Sequence, residues 1–198
     1  MQFAEPALLE PGLHAPLAAL RAATRDHHLR LDRLMDLRLL GDAARYATVL
    51  QAFDGFLSAW ESTVAAGLPA ARQPWLQARS RRHFVARDLQ VLGIAASTLP
   101  VQLTPIATGA AAWGSLYVME GSALGGRVIA RALAAQGLRP DTGAAYFHGW
   151  GESTGPMWRE FRQLLEQELA TPAAVSLACA GACATFDDFS ALLEGALA

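Results

Sequence analysis

The feature of this sequence that most constrains its fold is the spacing of its apolar residues. They recur at helical intervals in nearly every segment and nowhere show sustained alternation. The 198 residues are 53% hydrophobic and 17% charged, which excludes intrinsic disorder and fits one domain. We therefore predict an all-α, single-domain helical bundle over residues 17–198, preceded by a flexible N-terminal tail over residues 1–16.

Local capping signals predict where the helices begin and end. Asp42 follows a glycine and is expected to cap the second helix, and Thr171-Pro172 offers a capping hydroxyl followed by proline at the first helical position. Thr104-Pro105 has the same form and predicts the start of another helix. The expected helices cover about residues 17–37, 43–66, 74–93, 105–134, 153–169 and 172 onward.

Charge and cysteine content limit the partners and the compartment. The net charge of −2 gives no basic surface for nucleic acid or an anionic membrane. The N-terminal segment has acids and prolines instead of a signal peptide, and the longest uncharged stretch is interrupted by Pro100 and Pro105. Two cysteines suit a reducing compartment, so we expect a cytoplasmic protein that binds neither nucleic acid nor membrane.

The fourth expected helix contains a glycine run that contradicts its helical pattern. Between Glu120 and Gly126 the chain reads Glu-Gly-Ser-Ala-Leu-Gly-Gly, and each interior glycine costs about 1 kcal/mol relative to alanine. We expect a kinked helix here. One interpretation is a ligand lying flat against the backbone, and the other is close packing of two helices.

Two adjacent histidines on the first helix are the candidate metal ligands. His28 is four residues after Thr24 and seven before Met35, which places it on the inward-facing stripe, while His27 lies about 100° around the helix. The chain has no His-Glu-x-x-His pair and no Glu-x-x-His pair, and Cys179 and Cys183 are better explained by packing than by zinc. One histidine and one glycine-rich helix suit a flat, apolar, metal-centred ligand without requiring it.

Three ordered segments resemble bacterial heme oxygenases across about residues 17–165. The first, Leu20 to Asp32, resembles the proximal-helix pattern L-R-x-x-T-x-x-x-H-x-x-L-[DE]. The second, Leu116 to Ile129, resembles the distal-helix pattern Y-V-L-E-G-S-x-L-G-G-x-x-I. The third, Tyr146 to Phe161, resembles Y-F-x-x-Y-G-x-x-T-G-x-x-W-x-x-F. Within this family the segments resemble the enzymes that accompany bacteriophytochromes and the related iron-acquisition enzymes.

The resemblance implies a fold, a reaction and a set of roles. It implies a heme-oxygenase-like bundle that cleaves heme b, both substrate and cofactor, with O2 and electrons to biliverdin, free iron and CO. His28 would be the proximal iron ligand, and Ser122 and Gly121 would serve the reaction on the distal side. Heme would be bound by His28 and by the residues Tyr117, Gly121, Gly125, Gly126 and Arg159. The implied partners are an electron donor such as a ferredoxin or an NADPH-dependent reductase, and a bacteriophytochrome that accepts biliverdin.

Two positions depart from patterns in the family. Ser122 stands where the mammalian branch has an aspartate that holds a distal water, although serine is common in the bacteriophytochrome branch. Trp150 stands where the third block has tyrosine, which predicts either a change at the propionate end of the heme or a repacked corner. Because the chain has no lysine, Arg21, Arg127, Arg159 and Arg162 are the candidate propionate partners, with Arg159 favoured.

Other functions remain open at this stage. A heme carrier or sensor on the same fold would share His28 and the glycine-rich helix, and turnover under a reductant distinguishes it from the enzyme. A helical enzyme or interaction module without heme is a third hypothesis, which a failure to bind hemin would favour.

Overall fold

A computed structural model describes residues 15–198, and this part of the chain consists of helices and their connections, without a β-strand. The α-helices in this range are α1 (Ala15–Met35), α2 (Ala43–Gly67), α3 (Gln73–Gln77), α4 (Arg82–Leu92), α5 (Gly109–Ala134), α6 (Ala145–His148), α7 (Thr154–Glu168) and α8 (Pro172–Leu197). Short 3₁₀ turns cover Ala70–Arg72 and Gly151–Ser153. The predicted all-α, single-domain architecture is confirmed.

The N-terminal boundary lies close to the expected one. Helix α1 begins at Ala15, so the last two residues assigned to the tail are helical. Residues 1–14, the rest of the expected tail, lie outside the described residues.

Two of the predicted caps are present. The Asp42 carboxylate accepts a hydrogen bond from the Arg45 amide at 2.8 Å, and the Thr171 hydroxyl accepts one from the Ala174 amide at 3.1 Å. Each bond satisfies an amide of the first turn that has no partner within the helix. These contacts confirm the predicted starts of α2 and α8.

The predicted helix start at Thr104-Pro105 is wrong. Helix α5 begins at Gly109, and its cap is Thr108, whose hydroxyl accepts from the Ala111 amide at 3.2 Å. Thr104 instead donates its amide and its hydroxyl to the Asp188 carboxylate on α8, at 2.8 and 2.9 Å. These long-range bonds hold residues 101–107 outside any helix, so Thr104 does not cap a helix despite its local signal.

The helix predicted over residues 74–93 is interrupted. It is divided into α3 and α4 by a turn over residues 78–81. Helix α4 ends at Leu92 and is followed by Gly93, whose φ of 68° lies in the left-handed region that favours glycine. Arg79 and Arg81 lie in this turn and are only 8% and 7% exposed. The break allows both arginine side chains to enter the protein, whereas neighbouring positions of a continuous helix face different directions.

Helices α5 and α8 cross at very short range and form the centre of the core. A Cβ atom at Gly114 would collide with the backbone of Ala178, and one at Gly181 would collide with the backbone of Ala111. Two glycines therefore permit the backbones to approach where any side chain would separate them. Helix α8 also packs against α1 and α2, so it contacts three of the other long helices.

One helix in the described range, α8, is long and apolar enough to cross a membrane by length and composition. Such a pattern is shared by core helices of globular domains. The buried face of α8 contains Ala178, Ala182, Phe186, Phe189 and Leu193, and this face packs against α1, α2 and α5. This packing buries about a third of the apolar stretch, 33%.

Candidate functional site

Helix α1 presents His28 at a partly open face. Within residues 15–198, α1 packs chiefly against α8 and, over a shorter length, against α7, and it has no extensive packing against α5. The His28 side chain is 48% exposed, and its ring meets that of Phe186 edge-on at a centroid distance of 5.7 Å. His28 thus lies on the same helix as buried Thr24 and Met35, but its side chain is half exposed and not turned inward as expected.

A carboxylate fixes the orientation of the His28 ring. Nδ1 of His28 lies 3.1 Å from Oδ2 of Asp32, one helical turn further along α1. Because an ionised carboxylate only accepts hydrogen bonds, Nδ1 is the donor in this contact. A histidine that binds a metal through Nε2 has its proton on Nδ1, so the contact with Asp32 suits that role.

His27 has a different environment. Its Nδ1 lies 2.8 Å from Oδ1 of Asp187 on α8, and its side chain is 30% exposed. Asp187 also lies 3.6 Å from Arg30, so this contact joins α1 to α8 at the surface. His27 is therefore less exposed than His28, and its contacts are those of a residue that ties two helices together.

The glycine run on α5 divides into residues with space around them and one without. A Cβ built on Gly125 meets nothing within 4 Å, and one built on Gly121 comes no closer than 3.9 Å to the ring of Trp158 on α7. A Cβ on Gly126 would lie 2.8 Å from the carbonyl oxygen of Phe147. Gly121 and Gly125 suit a ligand approaching the backbone, whereas close packing explains Gly126. The assigned helix is unbroken through this run, and the expected kink stays a prediction.

Ser122 is held by an arginine that the sequence did not single out. Nη2 of Arg81 donates to the Ser122 hydroxyl at 2.7 Å and to the Met119 carbonyl at 2.8 Å, and the Ser122 hydroxyl donates to the same carbonyl at 2.8 Å. The Arg81 guanidinium lies 5.1 Å from the centre of the Tyr146 ring. The only hint of this role in the sequence is the arginine-rich segment Arg79-Ser-Arg81-Arg82.

A second buried arginine joins α5 to α7. Arg79 donates to Glu120 at 2.5 Å, to Glu160 at 2.9 Å and to the Met157 carbonyl at 3.2 Å. Burial raises the pKa of Glu120, and the positive charges of Arg79 and Arg81 oppose that rise. The pairing fixes the start of the glycine run relative to α7, which has Trp158 beside Gly121.

The turn that packs on Gly126 is held by a buried carboxylate. Asp88 on α4 is fully buried and accepts hydrogen bonds from the amides of Ala145 and Tyr146 at 2.7 and 2.8 Å. These bonds hold α6, whose residue Phe147 presents its carbonyl to Gly126. Sequence reasoning missed Asp88 because its partners are distant in the chain.

The remaining predicted residues lie around this region with different degrees of exposure. Tyr117 is 9% exposed, and its ring centre lies 6.2 Å from that of Trp158. Arg159 follows Trp158 on α7, is exposed, and makes no ion pair with any described residue. Trp150 packs against Phe84 and His83 at ring distances of 5.0 and 5.7 Å, so it forms an aromatic corner against α4.

Clusters of metal-ligating side chains do not occur in the described part of the chain. Residues 15–198 contain no group of three or more His, Cys, Asp or Glu side chains suited to a metal ion. Cys179 and Cys183 are free and half-buried, and Cys183 Sγ lies 3.5 Å from the Ala23 carbonyl.

Comparisons of the sequence and of the fold with known proteins point to one family. The sequence profile of the heme oxygenase family matches residues 15–195. A heme oxygenase of Xanthomonas campestris pv. campestris (strain 8004) is 38% identical over 156 residues, which cover 77% of this chain and 90% of that protein. The NO- and CO-bound heme oxygenase of Neisseria meningitidis superposes with a TM-score of 0.79 at 25% identity, over 90% of each chain.

Proposed function

The chain belongs to the heme oxygenase family, and on that premise we propose that it cleaves heme with O2 and electrons to biliverdin, free iron and CO. Heme would be seated between α1 and the glycine run of α5. The observation that carries this proposal is the half-exposed His28 ring with Nδ1 held by Asp32. When bound, heme supplies the iron at which O2 is activated and is itself the substrate.

His28 is the proposed axial ligand and Asp32 its positioning residue. The carboxylate keeps the proton on Nδ1 and strengthens Nε2 as a donor to iron. The His28 side chain is 48% exposed, so the protein does not enclose the ring.

Gly121 and Gly125 are proposed to face the other side of the heme. Neither residue has a side chain, and Gly125 has open space where a side chain would project. A flat ligand can then approach the backbone of α5, and a diatomic molecule has room beside it. We propose that Gly126 positions helix α5, because Phe147 occupies the space beside it.

Ser122 is proposed to take part in ordering water and moving protons near the heme. Its hydroxyl donates to the Met119 carbonyl and accepts from Arg81, which leaves it able to accept one more hydrogen bond, from a water molecule. The Arg81 charge would make such a water a better proton donor. Tyr117 would contribute to the wall of the proposed heme site, beside Trp158.

Arg159 is the proposed partner of a heme propionate. It is exposed on α7, and no described carboxylate neutralises its charge. An arginine can bind a propionate through two parallel hydrogen bonds, which suits this role. The in-plane rotation of heme, and with it the biliverdin isomer, depends on this anchor.

The proposal includes the cellular compartment, the electron donor and the acceptor of biliverdin. We propose a cytoplasmic enzyme that receives electrons from a ferredoxin or an NADPH-dependent reductase and passes biliverdin to a bacteriophytochrome. Both cysteines are free, which suits a reducing compartment. The resemblance to bacteriophytochrome-associated enzymes supports the biliverdin acceptor.

A hemin titration followed by turnover tests the proposed function. We expect saturable one-to-one binding seen by absorbance, and then conversion of the heme spectrum to that of biliverdin in air with a reductant. Binding without conversion, with both a ferredoxin system and ascorbate as donors, would contradict the enzyme and favour a carrier or sensor. Absence of binding would overturn the proposal altogether.

A further inference from the structure

One buried arginine contacts both α5 and α7, two helices that contribute to the proposed heme site. The Arg79 side chain is 5% exposed and donates from Nη1 to Glu120, at the start of the glycine run of α5. From Nη2 it donates to the Glu160 carboxylate at 2.9 Å and to the Met157 carbonyl at 3.2 Å, and both of these residues lie on α7. We call Arg79, Glu120 and Glu160 the Arg79 clamp, because their side chains tie α5 to α7.

Trp75 on α3 restricts the movement of the clamp. The Arg79 guanidinium lies over the Trp75 ring, 4.5 Å from its centre. The Trp75 indole N–H donates to Oε1 of Glu160 at 3.0 Å, while Arg79 binds Oε2. Both oxygens of this carboxylate therefore have a donor, which holds Glu160 in one orientation although its side chain is 55% exposed.

The contacts of the clamp on α7 flank the residues of this helix that are proposed to meet heme. Trp158, whose ring lies beside Gly121, follows Met157, and Arg159 precedes Glu160. Neighbouring residues of a helix project in different directions, so α7 cannot turn about its axis without breaking a bond to Arg79. The clamp thus fixes the direction in which Arg159 leaves α7, relative to the backbone of α5.

We infer that the Arg79 clamp sets the in-plane rotation of bound heme and thereby the biliverdin isomer, an inference that rests on the proposed function. The proposed propionate partner is on α7 and the proposed distal face is on α5. The rotation of heme between them depends on how these two helices are placed relative to each other. Arg79 is a positioning residue in this account, because it acts through α5 and α7 and not on heme itself.

The test compares two variants of the clamp with the loss of another ion pair on α7. Glu160→Ala removes the exposed end of the clamp. Arg79→Lys keeps a positive charge beside Glu120 but loses the planar fork that reaches both helices. Glu168→Ala is the matched control, because Glu168 lies on the same helix and pairs with Arg72 at 2.7 Å, outside the clamp.

Two measurements follow the orientation of heme. Proton NMR of the ferric cyanide complexes gives the heme methyl shifts, which change with the rotation of heme relative to its axial ligand and require no turnover. Chromatography of the extracted pigment gives the ratio of biliverdin isomers. We expect this ratio to change by about threefold in Glu160→Ala, as for a half-exposed ion pair, and by about tenfold in Arg79→Lys. The methyl shifts should change in both variants, and Glu168→Ala should match the natural protein.

The outcomes separate this inference from the proposed function. Methyl shifts in Arg79→Lys and Glu160→Ala equal to those in Glu168→Ala would overturn the inference alone. Changed shifts in a protein that does not convert heme would support the clamp and contradict the proposed reaction. Absence of hemin binding by the natural protein would overturn both. If Arg79→Lys does not fold, Glu160→Ala decides, since its side chain is half exposed.

Discussion

Gly114 and Gly125 lie on the same helix, α5, in opposite surroundings. In the N-terminal half, Gly114 allows the backbone of α8 to approach so closely that a Cβ atom would collide with Ala178. In the C-terminal half, Gly125 has nothing within 4 Å of the place where its Cβ would be. Glycine is therefore required by packing at Gly114 and has open space beside it at Gly125, and only the neighbours distinguish the two positions.

The largest expected effect on stability follows from adding one methyl group at Gly114, where α5 packs on α8. Gly114→Ala should lower the free energy of unfolding by about 3 kcal/mol, because the backbones of α5 and α8 must move apart. Gly125→Ala should leave it unchanged or raise it by up to about 1 kcal/mol, since alanine is the better helix former. Urea unfolding followed by circular dichroism measures both, and equal effects of the two changes would contradict the contrast.

A larger side chain at Gly125 should affect hemin binding instead of stability. Gly125→Leu is expected to weaken hemin binding by about 2 kcal/mol, roughly thirtyfold, because the side chain would occupy the face on which heme is proposed to lie. The unfolding transition should stay within about 1 kcal/mol of the natural protein. Hemin titration of Gly125→Leu beside Gly125→Ala measures the effect, and normal affinity in the leucine variant would refute an open distal face.

A smaller effect is expected on the opposite wall of the proposed site. Asp32→Ala removes the carboxylate that holds Nδ1 of His28 and should weaken hemin binding by about tenfold, the lower end of what loss of such a partner costs. Asp26→Ala, on the same helix, is the control and should bind hemin normally. Equal affinity in the two variants would remove Asp32 from the site.

Much of the fold was readable from local sequence. Asp42 and Thr171 cap their helices as predicted, because a capping bond involves only residues within one turn. Thr104 has the same local signal and fails, since Asp188 of α8 binds its amide and hydroxyl. A capping pattern does not reveal such a competing partner from elsewhere in the chain.

Part of the candidate site could be predicted from the sequence. The residues that were missed make their contacts with distant parts of the chain. The spacing of His28 and the glycine run predicted that two helices, now α1 and α5, contribute to the site. The structure adds that Asp32, one turn after His28 on α1, contacts the His28 ring. Arg79, Arg81 and Asp88 were missed because each acts on residues far away in the sequence. Nor could the run itself show that Gly126 packs on Phe147 while Gly125 faces open space.

The most direct test of the account is to replace the two adjacent histidines one at a time. Resonance Raman spectra of the reduced hemin complexes would report the iron–histidine vibration, with added imidazole as the rescue experiment. We predict that His28→Ala loses this vibration and the conversion of heme, that imidazole restores the vibration, and that His27→Ala keeps both. Loss of the vibration in His27→Ala, with His28→Ala unaffected, would contradict the account.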